Sequence, residues 1–163
     1  MNRIRPKNWV GRTLILGERK VYEYRVKEVV KVVDGDTVDV ILDLGFGLFK
    51  KERVRVAGVD TPEKRTRNLK EKKLGNDATA FAEKWFAAEG DVTVKTSKDG
   101  KYGRMLGWFH RGDECFNNKL IDDGFAWHYL GGTKIDANDM ASLMLLLEKR
   151  GYSSWENYTE ANP

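Results

Sequence analysis

Asp36, in Asp34-Gly35-Asp36-Thr37, and Asp60 and Glu63, in Asp60-Thr61-Pro62-Glu63, carry the clearest hint of chemistry in this sequence. Each stands where a strand pattern gives way to a turn, so its carboxylate can stay partly wet. Carboxylates brought together from separate loops repel each other unless a cation lies between them. Oxygen-only ligation of that kind suits Ca²⁺ or Mg²⁺, hard cations that take carboxylate, carbonyl and water oxygens. Glu63, set apart from Asp60 by the turn that Pro62 fixes, is placed to act on a metal-adjacent water as general base. An anionic phosphodiester resists a nucleophile until its charge is neutralised. Arg55, on the polar face of its strand, and Arg104, in Lys101-Tyr102-Gly103-Arg104, are the candidates for that work. Guanidinium groups fork onto phosphate oxygens and hold them more strongly as charge builds in the transition state. Taken one at a time, these segments also describe an ordinary hairpin turn, a helix start and a strand connection.

The surrounding pattern supplies a frame of strands. Val21 to Val33 is rich in Val and Tyr and ends at Asp34-Gly35. From Thr37 to Leu44 the apolar Val38, Val40, Leu42 and Leu44 alternate with Thr37, Asp39 and Asp43, and Lys51 to Val59 alternates in the same way. Val92 to Lys95 and Met105 to His110 give two more strands around a turn at Asp99-Gly100. Three helices are predicted: from a cap at Asn76 to about Glu89, from Asn117 to Asp123 with Gly124 as its stop, and from about Asp139 to Arg150. Five strands with a helix after the third, then closing helices, is the element order of an oligonucleotide-binding (OB-fold) barrel. Periodicity leaves other small barrels open.

The 163 residues, 40% hydrophobic and 33% charged, suit one domain with a real core. Net charge is +4, and it is clustered: six basic side chains against Glu18 in residues 1–20, and six against Glu71 in residues 64–73. Such clusters attract polyphosphate and make binding salt-sensitive, although solvated surface is the common meaning of a charge run. Lys70 and Lys72 in the second cluster are expected to bind substrate. The longest aliphatic run, Leu143 to Leu147, is too short to cross a bilayer, and no signal-peptide core is visible, so a cytoplasmic protein is expected. One cysteine, Cys115, allows no internal disulfide. With His110 and His128 as the sole histidines and no Cys/His cluster, zinc chemistry finds no support.

In order, Val33-Asp34-Gly35-Asp36-Thr37-Val38, Val54-Arg55-Val56-Ala57-Gly58-Val59-Asp60-Thr61-Pro62-Glu63 and Lys101-Tyr102-Gly103-Arg104 resemble the three signature segments of the staphylococcal nuclease (thermonuclease) family. The similarity runs from about Val29 to Trp155. It implies an α+β fold, a five-stranded OB-fold β-barrel decorated with three α-helices. It also implies a Ca²⁺-dependent endonuclease that cuts DNA and RNA at the bond to the 5′ oxygen and leaves 3′-phosphate ends. Asp36 and Asp60 would hold one Ca²⁺ (Mg²⁺ being the second choice) through their carboxylates, and Thr61 through its carbonyl. Glu63 would serve as base, Arg55 and Arg104 would clamp the phosphate, and Lys101 and Tyr102 would bind the nucleotide. Trp127 or Tyr129 could stack bases, while His128 is expected to pack beside them. The expected organisation is a basic arm over 1–20, a monomeric nuclease domain over 21–157 and a tail over 158–163.

Two rivals predict other behaviour. A barrel that binds nucleic acid without cutting it would be expected to lack Glu63, an arginine or a metal aspartate, and all stand here. A protein-interaction domain would show salt-sensitive docking and no strand cleavage.

Overall fold

The computed structural model describes residues 14–16, 19–98 and 104–163. Its element order is β1 (Leu14–Leu16), β2 (Arg19–Asp34), β3 (Thr37–Asp43), β4 (Phe49–Val56), β5 (Val59–Asp60), α1 (Leu69–Ala87), β6 (Thr93–Lys98), β7 (Met105–Arg111), β8 (Glu114–Cys115), α2 (Phe116–Asp122), β9 (Trp127–His128), α3 (Met140–Lys149) and α4 (Trp155–Ala161). Five strands close on themselves in the order β2-β3-β4-β7-β6, with β6 returning to pair with β2. The pairings are antiparallel except β4 with β7, which run parallel. This is the α+β barrel expected from the sequence, with four helices rather than three.

Closure depends on β2, which is long enough to serve two neighbours. Tyr22–Arg25 pair with β6, while Arg25 to Asp34 pair with β3 through three register shifts. Such bulges bend a strand and sharpen its twist, so β2 wraps round the barrel. Inside lie Val38, Val40, Val54, Val56, Val94 and Phe109, all essentially buried, with Trp85 and Phe86 of α1 and Phe116 and Leu120 of α2 packed against them. The alternate positions of β3 and β4 therefore face outward, as their polar residues predict.

A second apolar cluster gathers Leu74, Trp127, Leu143, Leu146, Leu147 and Tyr158. It contains residues of α1, α3 and α4, and it explains the unforeseen fourth helix. Ser154 caps α4 by accepting from the Asn157 N–H at 3.1 Å. The helix carries Tyr158, fully buried, to a hydrogen bond with Asp77. Residues 158–161, expected as a tail, are thus part of a packed helix. At the other end, residues 14–16 of the expected basic arm pair with residues 19–21, and residues 1–13 lie outside the described residues.

The first helix begins well before the expected cap at Asn76. Asn68 is the cap, its side chain accepting from the N–H groups of Lys70 at 3.1 Å and Glu71 at 3.2 Å. Gly75, which reads as a helix breaker, sits inside α1 because the helix there touches another backbone. A Cβ at Gly75 would lie 2.6 Å from the Lys64 nitrogen and 2.7 Å from the Pro62 oxygen. The glycine seats α1 directly on the Pro62–Lys64 turn. Among the described residues no helix is long and apolar enough to cross a membrane.

Candidate active site

The β3–β4 register places Thr37 opposite Arg55, at the end of the barrel where β2 turns into β3 and β4 turns into β5. Two contacts fix that corner. The Val56 N–H donates to the Asp36 carbonyl at 2.8 Å, and the Ala57 N–H donates to the Gly107 carbonyl at 2.9 Å. Asn117, buried at the start of α2, locks the corner from beneath. Its Nδ2 donates to the carbonyls of Ala57 at 2.8 Å and Gly107 at 3.0 Å, and its Oδ1 accepts from the Phe109 N–H at 3.1 Å. A fully used buried amide of this kind rigidifies what it joins. β5 then leaves the corner and pairs with β9, which holds Asp60 in a fixed place.

Asp36 and Asp60 are both buried, 5% and 3% exposed, and the Arg55 guanidinium bridges them. Arg55 Nη2 lies 3.2 Å from Asp36 Oδ2 and 3.2 Å from Asp60 Oδ1, and Nη1 lies 3.4 Å from Asp36 Oδ1. The Thr37 hydroxyl donates to Asp36 Oδ1 at 3.0 Å, and the Thr61 N–H donates to Asp36 Oδ2 at 3.3 Å. Burial dominates the titration of Asp36. It pushes the carboxyl from 3.8 up to about 6, with the Asp34 charge adding to the rise, while Arg55 and the two hydrogen bonds pull the other way.

Glu63 is exposed, on the turn that α1 presses against. Its backbone N–H donates to Oε1 of the buried Glu71 at 3.1 Å, which anchors the turn and leaves the Glu63 carboxylate outward. Lys134 faces it from the segment after β9, with Nζ 3.1 Å from Glu63 Oε1 and 3.4 Å from Asp60 Oδ1. Burial works against this ammonium, but Asp60 and Glu63 outweigh it and hold its pKa above the ordinary lysine value. Neither Lys134 nor Glu71 was foreseen. Asn68 followed by Glu71 is a readable helix-start pattern. Lys134, 71 residues from Glu63, follows two glycines and belongs to no motif.

Arg104 reaches the same corner from the start of β7. With Arg53, Arg55, Thr37 and Asp34 it lines an open cleft of about 460 Å³. The structure thus brings together Asp36, Arg55, Asp60, Thr61 and Glu63, with Arg104 lining the same cleft as Arg55. Lys70 and Lys72 are exposed on α1, and the Lys70 ammonium lies 5.3 Å from the Trp155 ring centroid and 3.7 Å from Met140 Sδ, contacts to α4 and α3. Lys101 and Tyr102 lie outside the described residues. Two expectations are corrected. Trp127 is buried and donates Nε1–H to the Ser142 carbonyl at 3.0 Å, so it is core rather than a stacking surface. His128, its neighbour on a two-residue strand, points the opposite way and is exposed rather than packed.

The sequence that builds this corner matches a known family. The model for the staphylococcal nuclease homologue family matches residues 53–155. The chain belongs to the staphylococcal nuclease family. Among its relatives, the thermonuclease of Staphylococcus intermedius is 37% identical over 100 residues, covering 60% of this chain and 56% of the relative. The thermonuclease of Staphylococcus hyicus is 35% identical over 101 residues, covering 61% and 56%. An uncharacterized endonuclease of Escherichia coli O157:H7 is 32% identical over 102 residues, covering 62% and 59%. The matches therefore span less than two thirds of these relatives. The family match contains Arg55, Asp60, Thr61, Glu63, Arg104 and Lys134, and Asp36 joins them through the barrel.

The donor set fits a hard divalent cation. Asp36 and Asp60 offer carboxylate oxygens converging on one cationic nitrogen of Arg55, and neither histidine nor cysteine lines the adjoining cleft. Among the described residues no group of three or more His, Cys, Asp or Glu side chains is placed to hold a metal ion. An ion held by these two carboxylates would need water and phosphate oxygens to complete its shell.

Proposed function

We propose that this protein is a metal-dependent nuclease that hydrolyses phosphodiester bonds in DNA, RNA or both. The observation that carries the reading is the Arg55 bridge between two buried aspartates, beside a cleft that Arg55 lines together with Arg104. Two buried carboxylates so close to a guanidinium are a costly arrangement for a structural corner, since burial, with the Asp34 charge adding to it, raises the Asp36 carboxyl to about 6 even against the pull of Arg55. Perturbation of that kind, beside an open cleft, is what a working site produces.

Asp36 and Asp60, with the Thr61 carbonyl, would hold Ca²⁺. When bound, the ion supplies charge neutralisation to the phosphate and acidity to a coordinated water. Arg55 and Arg104 both line the cleft, from the paired strands β4 and β7, and can take separate phosphate oxygens, orienting the ester and offsetting charge as the phosphorus becomes five-coordinate. Glu63, exposed and anchored through its backbone by Glu71, accepts the proton of the attacking water. The bond to the 5′ oxygen breaks, that oxygen leaves as a hydroxyl after taking a proton from water, and the 3′-phosphate end remains. Lys101 and Tyr102 follow from the same family reading as contacts to the nucleotide.

The test is digestion of labelled single-stranded DNA and RNA across Ca²⁺ and Mg²⁺ series, with end-group analysis of the products. Chelator-sensitive cleavage leaving 3′-phosphates is expected. Tight binding with no cleavage at any ion concentration would transfer the reading to a non-catalytic nucleic-acid-binding module.

A further inference from the structure

The hairpin joining β3 to β4 ends in an apolar tip that the barrel does not use. Leu44, Phe46, Leu48 and Phe49 are all exposed, and Phe46 is completely so. The tip is nevertheless well formed. The Leu44 N–H donates to the Leu48 carbonyl at 2.9 Å, the Leu48 N–H to the Gly45 carbonyl at 2.9 Å, and the Gly45 N–H to Asp43 Oδ1 at 2.9 Å. Phe46 holds a φ of 56° between Gly45 and Gly47, a left-handed conformation that favours glycine. A phenylalanine there strains the turn while its ring packs on nothing, so folding gives no reason for it.

From this tip a line of cations leads back to the cleft. Phe49, Lys51, Arg53 and Arg55 are alternate residues of β4 and share its outer face, about 6.8 Å apart per step. Arg53 and Arg55 already line the cleft with Arg104. Asp39, across on β3, is the acid in the middle of this face. Arg53 grips it with Nε at 2.7 Å and Nη2 at 2.9 Å. Lys51 and Lys31 add to that field, and together the three hold the Asp39 carboxyl below the usual range, the Arg53 hydrogen bond being the largest cause. Asp39 therefore stays ionised and fixes the direction of Arg53, with Lys51 and Lys31 supplying the further positive charge around it.

We propose that the outer face of β4, from Arg55 past Arg53 and Lys51 to Phe49 and Phe46, is a track for single-stranded nucleic acid. Phosphates follow the cations, and bases stack on the two rings at the far end. The proposal rests on the nuclease reading and deepens it, extending the substrate site along the barrel by about 20 Å. Cations in register with a strand, ending in exposed aromatics, are the combination that binds single strands without sequence preference. An anionic lipid surface fits less well, because Asp43 stands directly opposite Phe49 at the base of the tip. A second copy of the chain fits less well too, since four side chains fall far below the roughly 800 Å² per partner of a stable interface.

The test compares oligodeoxynucleotides of about 4 and about 15 nucleotides, the limits of a single OB-fold site. Affinities are measured by fluorescence anisotropy with a chelator present, and cleavage of both lengths with Ca²⁺. The variant is Phe46→Gly with Phe49→Thr, which relieves the left-handed strain and leaves the cleft untouched. Wild type should bind the longer strand more tightly. The variant should lose about fivefold or more per ring on that strand, with affinity for and cleavage of the shorter one unchanged. Lys51→Ser should weaken the longer strand alone and flatten its salt dependence. Unchanged affinity of the variant for the longer strand, with cleavage intact, would overturn the track and leave the nuclease reading standing. So would an effect seen only in self-association or in binding to anionic vesicles. If wild type cleaves neither length, the nuclease reading itself falls, and the track falls with it.

Discussion

Replacing Asp36 by asparagine should make the metal-free protein more stable while abolishing its activity. The carboxyl titrates at about 6 in the fold against 3.8 unperturbed, chiefly because it is buried. The folded value is the higher one. The stability contributed by the protonated form is therefore complete below about pH 4 and lost as pH rises through about 6. At neutral pH the native protein carries a buried carboxylate it would sooner protonate. A rise of that size corresponds to about 3 kcal/mol. The asparagine keeps the neutral shape, and Arg55 keeps Asp60 at 3.2 Å, so most of that energy should appear as added stability. The assay is urea unfolding of both proteins in chelator at about pH 4 and above pH 7. The variant should lead by about 3 kcal/mol at the higher pH and by little at the lower one. An Asp36→Asn protein that is less stable than wild type at neutral pH, or a gap that ignores pH, would refute the reasoning. Cleavage by the variant at the native rate would separately refute the role given to this carboxylate.

Other substitutions probe the neighbouring parts. Arg104→Ala should lower kcat/KM by about 10² or more, while Lys72→Ala should chiefly reduce affinity and its salt dependence; equal small effects on turnover would remove Arg104 from the phosphate. Lys70→Ala should lower unfolding stability by about 0.5–1 kcal/mol through loss of its contact with Trp155, a change that denaturant titration resolves. Gly75→Ala gains about 1 kcal/mol of helix propensity but drives a methyl into the Pro62–Lys64 backbone, so a net loss of stability and slower cleavage are expected. A stabilised, fully active Gly75→Ala protein would show that the turn carrying Glu63 is free to move. Lys134→Met removes an ammonium from beside Asp60 and Glu63 and should tighten Ca²⁺ binding several-fold in calorimetry; unchanged or weaker binding would place Lys134 outside the metal's field.

The barrel was legible because its strands bury one face. Val38, Val40, Leu42, Val54 and Val56 announce the inside by alternation alone, and Arg53 and Arg55 announce the outside. The acidic corner was legible for a different reason: Asp36, Arg55 and Asp60 sit at the ends of those strands, so locating the strands located them. What escaped was set by contacts between distant segments. Gly75 reads locally as a break, yet the close approach of α1 to the Pro62–Lys64 turn is what requires it. The fourth helix has too little apolar pattern to declare itself until Tyr158 finds its place among Leu74, Leu143 and Leu147. Trp127 and His128 sit side by side in a pattern that offers both to packing or to substrate, and only the β5–β9 pairing decides which faces inward. Lys134 came from a loop whose residues carry no signal until Asp60 and Glu63 are beside it.

The sharpest test is a crystal structure with Ca²⁺ and a nucleotide bearing a 5′-phosphate. The ion should lie about 2.3–2.6 Å from oxygens of both Asp36 and Asp60, with the phosphate held between Arg55 and Arg104. An ion bound elsewhere, with Arg55 still bridging the two aspartates and the phosphate outside the cleft, would contradict it.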